Sequence, residues 1–244
     1  MSDGPVVVVV VSAADPVDRQ TGRLVQLPDA PFLVGDVDSV AVLKPPADGE
    51  IVVDNDVNWA ARAERRLGSA VGVDDFVYLH LGEGLGCAVV TDGEVRRGHS
   101  GGAGEIAHVV VPGLGAKAVA FTEVFAQLGL RRPGSTAVDV DAVNHALQRD
   151  GKAGDRMRGA IAEAVCAVLQ AAVGFADPQL LVMGGPWGTQ PELLQSLRHQ
   201  VEGWPRPLQL AEAGVHHEPD LYGARFHAVE LLRDNIVNGS RATR

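Results

Sequence analysis

The fold class of this chain follows from residues 50–67, EIVVDNDVNWAARAERRL. A short strand, Glu50 to Val53, leads through a polar turn into a segment from Asn55 to Leu67 that is rich in alanine, arginine and glutamate. That composition favours a helix. A strand, a polar turn and a helix in this order are typical of α/β proteins, whose sheets present ligand-binding groups where their strands end. The stretch therefore predicts an α/β fold with a binding site at the start of this helix.

The turn before the helix carries four side chains suited to a polyhydroxylated ligand, namely Asp54, Asn55, Asp56 and Asn58. An asparagine amide donates and accepts hydrogen bonds, while an ionised aspartate accepts them from hydroxyls or removes a proton as a general base. The alternative is that one of these residues only caps the helix, a common use of Asp and Asn. Capping requires one of the four, so we predict that the others bind a ligand.

An unbroken apolar run, Val6 to Val11, predicts a further strand near the start of the chain. Because its residues do not alternate with polar ones, we expect it to be buried on both faces, as central strands of parallel sheets are. A central strand needs neighbours, and almost nothing precedes this one. We therefore expect the sheet to lack its N-terminal strands.

The rest of the chain predicts alternating strands and helices. Two apolar strands, Phe76 to Leu81 and Gly86 to Thr91, are joined by a glycine-rich turn that is typical of a hairpin. A long alanine-rich segment, Gly154 to Val173, has spaced apolar residues that give a helix a buried face. Further predicted elements are a short helix or turn around Asp36 to Leu43, a valine strand ending at Pro112, a strand from Leu180 to Met183, and helices at Phe121 to Leu128, Val138 to Arg149, Pro191 to Val201 and Gly223 to Asn235.

Length and composition exclude several classes of protein. With 46% hydrophobic residues among 244, the chain can bury a sizeable core and is not disordered. Its longest apolar run is far too short to cross a membrane, and the pattern of a secretion signal is not found at its start. Cys87 and Cys166 are the only cysteines, which excludes a disulfide framework and a cysteine-clustered metal site. We therefore expect a soluble protein of the reducing cytoplasm, without contact to a membrane.

The charge of the chain argues against nucleic acid binding. The formal net charge is -10 and the isoelectric point is near 5.2, whereas phosphate binding needs a clustered basic face. The nearest candidate, formed by Arg62, Arg65 and Arg66, is typical of a solvated helix face. We expect no direct contact between this chain and DNA or RNA.

A second set of candidate ligand-binding residues follows a glycine-rich turn, Gly101 to Gly104. Because glycine lets the backbone come close to a ligand, this turn can aim the side chains of Glu105 and His108 into one space. Two further turns could hold a phosphate through their backbone amides. These turns contain Gly82, Glu83, Gly84 and Gly86, and Gly184 and Gly185. The Glu83 carboxylate opposes such binding, because it repels an anion a few ångströms away, and a simple tight turn explains the glycine pair equally well.

Four stretches occur in a particular order along the chain. They are VDNDVN at 53–58 with Glu64 after it, LGEGLG at 81–86, GGAGEIAH at 101–108 and DPQLLVMGG at 177–185. In this order and spacing they resemble the ROK family of repressors, uncharacterised reading frames and sugar kinases. No single stretch would suffice, but the combination is specific and runs from about Val6 to the final helix.

The resemblance implies the actin-like ATPase fold, which is related to ribonuclease H and has two lobes around a sugar cleft. Residues 1–73 and the C-terminal helix, 224–244, would form a first lobe that lacks its N-terminal strands, and residues 74–223 would form the second. A homodimer is usual in the family, and we expect one here.

The resemblance also implies roles for individual residues. Asn55 and Asp56 would hold sugar hydroxyls, with Asp56 acting as the catalytic base in a kinase. Glu105 and His108 would contact the sugar ring. Glu123 falls where the family has a further glutamate that binds the sugar. We therefore expect Asp56, Glu105 and Glu123 to line one cleft.

The chain departs from the family pattern at several positions. The stretch from Gly113 to Phe121 contains no cysteine, which makes the thiolate zinc site of the family impossible and leaves His108 only a sugar role. The family's phosphate loop would lie upstream of Val6, and phosphoryl transfer depends on such positioning. Glu83 resembles the repressor branch, since kinases tend to have threonine there. Ala14 and Asp15 replace a Pro-Gly pair, which puts a backbone contact to the sugar in doubt.

Three functions remain. The first is the sugar-sensing domain of a ROK-type transcriptional regulator, with its DNA-binding helix-turn-helix outside this chain and no cofactor or structural zinc. The second is a truncated or degenerate sugar kinase of the same family, which would use ATP and Mg²⁺. The third is an interaction module that binds no sugar. Glu83 and the missing zinc loop favour the first.

Overall fold

The fold is built around two sheets that contain parallel strands, with one helix packed between them. The structure, a computed structural model, describes residues 8–27, 38–44 and 49–242. The strands are β1 (Val8–Ala13), β2 (Glu50–Asn55), β3 (Phe76–Leu81), β4 (Leu85–Thr91), β5 (Glu94–Val95), β6 (Val110–Pro112), β7 (Ala118–Ala120), β8 (Leu180–Gly184) and β9 (Gln209–Glu212). The helices are α1 (Ser39–Leu43), α2 (Asp56–Leu67), α3 (Phe121–Gln127), α4 (Val140–Gln148), α5 (Gly151–Ala176), α6 (Pro191–Glu202) and α7 (Pro219–Ala242).

The larger sheet has five strands in the order β5-β4-β3-β8-β9. The pairs β3–β8 and β8–β9 are parallel, while β4 pairs antiparallel with both β3 and β5. In the smaller sheet β1 and β2 run parallel, from Val8 beside Glu50 to Ala13 beside Asn55. The strands β6 and β7 form a separate antiparallel pair. This mixture of parallel sheets and helices is the α/β fold that the sequence predicted.

Helix α2 is sandwiched between the two sheets. Its residues Val57, Ala60 and Ala61 pack against the face of the larger sheet that carries Tyr78. On its other side, the indole Nε1 of Trp59 donates a hydrogen bond of 2.9 Å to a carbonyl oxygen of β1. Helix α7 approaches so closely that a Cβ at Gly223 would overlap the Trp59 carbonyl. The helix that opens with the candidate site is therefore held from both sides.

The opposite face of the larger sheet is covered by α3, α4, α5 and α6, which together form the main core. Ile161, Val165 and Leu169 of α5 are fully buried there, as their helical spacing predicted. By length and composition alone, α5 could span a membrane. Its buried side chains instead belong to the core between the sheet and the neighbouring helices.

Buried Glu64 ties the end of α2 to the region after β9. Its side chain is completely inaccessible to solvent, and its two carboxylate oxygens accept three hydrogen bonds of 2.8–2.9 Å from backbone amides. The donors are the amides of Ser69, Gly214 and Val215. A Cβ at Gly68 would overlap this carboxylate, which explains the glycine where the helix ends. Glu64 is therefore a structural residue of this fold.

The predicted elements agree with the structure in type, and most differ only at their ends. The long helices α5 and α7 extend several residues beyond their predicted ranges. The prediction that the valine strand is buried on both faces is wrong, since every residue of β1 is only partly buried. Among the described residues, β1 pairs with β2 alone. Val6 and Val7 of that run, and residues 36 and 37 of the first predicted helix, lie outside the described residues.

Candidate functional site

A cavity of about 280 Å³ lies where the parallel strands β1, β2, β3 and β8 end. Open α/β sheets bind ligands at this edge, because there the loops that follow several parallel strands converge. Its polar wall consists of Asp15, Asn55, Asp56, Asn58, His80, Glu83, Glu105 and His108. Glycine backbone at 82, 84, 86, 101 and 104 forms much of the remaining surface. Both predicted clusters, around Asp56 and around Glu105, therefore meet in one cavity.

Asn55 caps the helix that starts the site. Its Oδ1 accepts a hydrogen bond of 2.9 Å from the amide of Val57, and its Nδ2 lies 3.3 Å from the carbonyl oxygens of Ala13 and Asp15. The alternative considered from the sequence, that one of the four polar residues caps the helix, applies to this residue. Asn55 thereby fixes the loop after β1 against the start of α2, and its side chain also lines the cavity.

Asp54 is buried, and its Oδ1 has its partners within the protein. Its Oδ1 accepts hydrogen bonds from the amide of Asn55 at 2.9 Å and from the Nδ2 of Asn58 at 2.8 Å. The Nε of Arg97 lies 3.2 Å from the same oxygen, so the carboxylate has a cationic partner. The polar cluster at 54–58 therefore divides into supporting residues and a single carboxylate, that of Asp56, available to a ligand.

Asp56 occupies the first position of α2 and faces the cavity. Its Oδ1 accepts a hydrogen bond of 2.8 Å from the amide of Val57, and no contact to its other oxygen is recorded among the described residues. Burial, together with smaller effects of the nearby carboxylates of Asp220 and Asp15, raises the pKa of Asp56 to about 6. Asp220 is held beside the cavity by a hydrogen bond of 2.8 Å from the hydroxyl of Ser12. A carboxyl with this pKa exchanges a proton near neutral pH.

Glu105 enters the cavity from the glycine-rich turn. Burial raises its pKa to about 7, with smaller contributions from the carboxylates of Asp56 and Asp15. The turn depends on Gly104, whose φ of 97° suits only glycine and whose missing Cβ would overlap the carbonyl of Cys87. The carbonyl of Gly104 also accepts a hydrogen bond of 3.0 Å from the Cys87 amide. The glycine pattern thus places Glu105 by docking the turn on β4.

Asp15 is a cavity residue that the sequence did not assign to the site. Only 6% of its surface is exposed, and burial raises its pKa. The sequence identified this position only as a departure from a family pattern. The signal that could have found it is its place just after a strand, since Asp15 is the second residue after β1 and Asp56 is the first after β2. His80, also unassigned from the sequence, lines the cavity at the end of β3, and burial lowers its pKa.

Glu123 lies outside the cavity, contrary to the expectation that it lines the same cleft as Asp56 and Glu105. It occupies the first turn of α3, where its side chain is about half exposed and its Oε2 lies 3.3 Å from a guanidinium nitrogen of Arg131. The hairpin of β6 and β7 and the loop before α3 determine where this helix begins, and the sequence did not reveal their path. His108, in contrast, does line the cavity.

The glycine-rich turn at 82–86 forms part of the cavity wall. Its Glu83 carboxylate pairs with the guanidinium of Arg132, and the Glu83 carbonyl accepts a hydrogen bond of 2.9 Å from the amide of Val138. A Cβ at Gly86 would crowd Val57, so this glycine lets α2 pack against the turn. The turn is therefore connected both to α2 and to the segment before α4.

The pair Gly184 and Gly185 lies behind this turn and does not belong to the cavity wall. A side chain at Gly184 would overlap the hydroxyl of Tyr78, and one at Gly185 would overlap the backbone of Leu81. The indole of the following Trp187 donates a hydrogen bond of 2.9 Å to the carbonyl of Gly82. Close packing of β8 against β3 therefore accounts for both glycines.

Within residues 8–27, 38–44 and 49–242, no three side chains of the types His, Cys, Asp and Glu lie close enough together to hold a metal ion. The hairpin of β6 and β7, which occupies the position of the expected zinc loop, carries no cysteine. The site's acceptors are suited to ligands that donate hydrogen bonds.

Known proteins of this fold include both enzymes and regulators. A beta-glucoside kinase of Listeria monocytogenes is 25% identical over 191 residues, which are 74% of this chain and 65% of that kinase. The chain thus matches less than two thirds of that relative's length. The structure of a ROK family glucokinase from Streptomyces griseus, in complex with glucose and AMPPNP, is similar with a TM-score of 0.69 and 22% identity, over 93% of this chain and 83% of that one.

The structure of a ROK family transcriptional regulator, a homologue of the E. coli MLC protein, is equally similar in fold. The TM-score is 0.68 at 18% identity, over 89% of this chain and 61% of that one. The model of the ROK family matches residues 2–206, which is most of the sequence. The fold, the order of the four sequence stretches and this match agree, and the chain belongs to the ROK family.

Proposed function

We propose that this chain is the sugar-binding part of a ROK-type transcriptional regulator. The observation that carries the proposal is the position of Glu83 in the glycine-rich turn of the cavity wall, with its carboxylate paired to Arg132. In a sugar kinase the nucleotide phosphates must approach the sugar site, and a carboxylate on that approach repels them. Arg132 is the cation next to this turn, and its pairing with Glu83 leaves it less available to bind a phosphate.

The cavity supports a sugar as the ligand. Three carboxyl groups, those of Asp15, Asp56 and Glu105, supply hydrogen-bond acceptors to a space of about 280 Å³. Sugar hydroxyls donate to such acceptors, and the glycine turns allow the ring to approach the backbone. Because a buried acceptor without a donor is costly, we favour a ligand-binding domain over an interaction module that binds no sugar.

The regulatory mechanism follows from the location of the cavity between elements of both sheets. A sugar that binds one arrangement of these elements better than another shifts the population toward that arrangement. In this proposal the DNA-binding part lies outside the chain, in a cytoplasmic homodimer, and no cofactor or structural zinc takes part. The sugar would then act as the effector that changes the affinity for an operator.

Calorimetric titration combined with a nucleotide assay tests this proposal. The protein is titrated with a panel of neutral hexoses, pentoses and amino sugars, and the same sugars are incubated with protein, ATP and Mg²⁺ while ADP release is measured. We expect at least one sugar to bind and none to stimulate ADP release. Asp56→Ala should abolish binding, whereas Asp141→Asn, an exposed change of the same charge on α4, should retain it. Sugar-dependent ADP release would overturn the regulator, and the absence of any binding would favour the interaction module.

A sugar kinase is the second candidate, and one observation favours it. The pKa of Asp56 is raised to about 6, a value suited to a general base that removes a hydroxyl proton near neutral pH. In that case ATP and Mg²⁺ would be required, and ADP release should decline at pH values below the pKa of Asp56. Loss of that activity in Asp56→Asn, with sugar binding retained, would identify this residue as the base.

A further inference from the structure

The cavity combines one buried carboxyl group, that of Asp15, and two partly buried ones, those of Asp56 and Glu105, with no fixed positive charge. Among the described residues, its wall includes no lysine or arginine. The Arg132 guanidinium next to it pairs with Glu83, and Arg97 pairs with buried Asp54. The carboxyl groups of Asp15, Asp56 and Glu105 have no cationic partner among the described residues. A positively charged ligand could therefore supply the cationic partner of these carboxyl groups.

Asp15 is the most informative of the three. More than nine tenths of the residue is buried, its side chain faces the cavity, and no hydrogen bond to its carboxylate is recorded among the described residues. The backbone that carries it is fixed, because the Nδ2 of Asn55 contacts the carbonyl oxygens of Ala13 and Asp15. A buried carboxylate without donors is costly in the empty protein, and that cost is relieved when a ligand supplies a donor and a charge.

We propose that the cavity selects a sugar that carries a free ammonium group, and that Asp15 is the residue that determines this specificity. The inference rests on the proposed function, because it names the chemical class of the sugar. An ammonium group supplies three donors and one positive charge, whereas a hydroxyl supplies one donor and leaves the carboxylates uncompensated. A metal ion is the other source of positive charge, and no group of three or more His, Cys, Asp or Glu side chains among the described residues is placed to hold one.

The other titratable groups around the cavity are compatible with a cationic ligand. Asp220, beside Asp56, adds negative charge from α7. His80 approaches from β3, and burial lowers its pKa, which keeps it uncharged near neutral pH. Glu83 and its partner Arg132 compensate each other, and His108 completes the titratable side chains of the wall. The wall as a whole favours a cation over an anion.

Matched sugars separate this inference from the proposed function. Glucosamine, galactosamine and mannosamine are each compared by calorimetry with the N-acetyl form and with the parent hexose, which share the ring but lack the charge. For at least one ring configuration we expect the amine to bind roughly 10- to 100-fold more tightly than both neutral forms at pH 7.5. Equal or tighter binding of the neutral forms overturns the inference and leaves the proposed function standing. Binding of none of these sugars, or of any other sugar in the panel, overturns both.

The role of Asp15 is tested in variants. Asp15→Asn keeps the size of the side chain and removes its charge, so the preference for the amine, measured as the ratio of amine to neutral-sugar affinity in the same variant, should fall to less than about threefold. Asp141→Asn, which changes the net charge equally on an exposed helix face, should keep the full preference. Circular dichroism confirms that each variant is folded, and Asp15→Glu, which restores the charge, should restore part of the preference. An unchanged preference in Asp15→Asn overturns the assignment to this residue.

Discussion

Two groups of buried carboxylates in this protein differ in what satisfies them. Glu64 accepts three backbone hydrogen bonds, and Asp54 has two donors and the charge of Arg97. Asp15, which is buried, and Glu105, which is partly buried, have no recorded side-chain partner among the described residues. Carboxylates of the first group stabilise the fold, whereas those of the second group are available to bind a ligand. This difference predicts opposite responses to mutation in the two groups.

The largest effect is expected for Glu64→Ala. The substitution leaves three backbone amides, those of Ser69, Gly214 and Val215, without the carboxylate that accepts their partly buried hydrogen bonds. We expect the free energy of unfolding to fall by about 4 kcal/mol, since each unsatisfied buried amide costs about 1–3 kcal/mol. Urea denaturation measures this loss. The matched change Glu105→Ala should cost far less, and a similar loss for both variants would remove the distinction between the groups.

A smaller effect is expected in the pH dependence of stability. In the folded protein the pKa of Asp56 is raised from 3.8 to about 6 and that of Glu105 from 4.5 to about 7. Between these values the folded state binds more protons than the unfolded state, so the free energy of unfolding contributed by these groups falls as pH rises from about 4 to about 7. Above pH 7 their full destabilising effect is present in the empty protein.

Thermal unfolding at pH values from 4.5 to 8 checks this dependence. The double variant Asp56→Asn and Glu105→Gln removes both titrating groups, so its melting temperature should decline less toward pH 7 than that of the wild type. An identical decline in the two proteins would show that other groups cause it. A bound amine should raise the melting temperature most near pH 7, where the carboxylates are largely ionised and the amine still carries its charge.

The smallest effect is expected for Glu123→Ala. Its ion pair with Arg131 is half exposed and screened by water, so its loss should change the free energy of unfolding by less than about 1 kcal/mol. Because Glu123 lies outside the cavity wall, sugar affinity measured by calorimetry should change less than about twofold. A large loss of affinity would mean that Glu123 reaches the ligand after all, as the family resemblance implies.

The strand ends and glycine turns that form the cavity could be predicted from local sequence. Apolar runs indicated β2 and β3, the polar cluster at 54–58 marked the start of a helix, and the glycines before Glu105 indicated a turn. Short strands such as β9 were missed, because four residues carry too little periodicity to distinguish a strand from a loop. The position of Glu123 outside the cavity wall was not predicted, because it depends on the path of the hairpin before α3 rather than on the residues around it.

The sequence by itself determined that the chain is an α/β protein with acidic residues and glycines gathered at strand ends. Only the tertiary structure decided which of these acids are satisfied. Glu64 receives hydrogen bonds from amides 150 and 151 residues further along the chain, and Asp54 is paired with Arg97. Asp15 shares the cavity wall with a distant glycine-rich turn, residues 101–104, that docks on β4. Local propensities act over a few residues, whereas the partner of a buried charge is chosen by packing between segments that are remote in sequence.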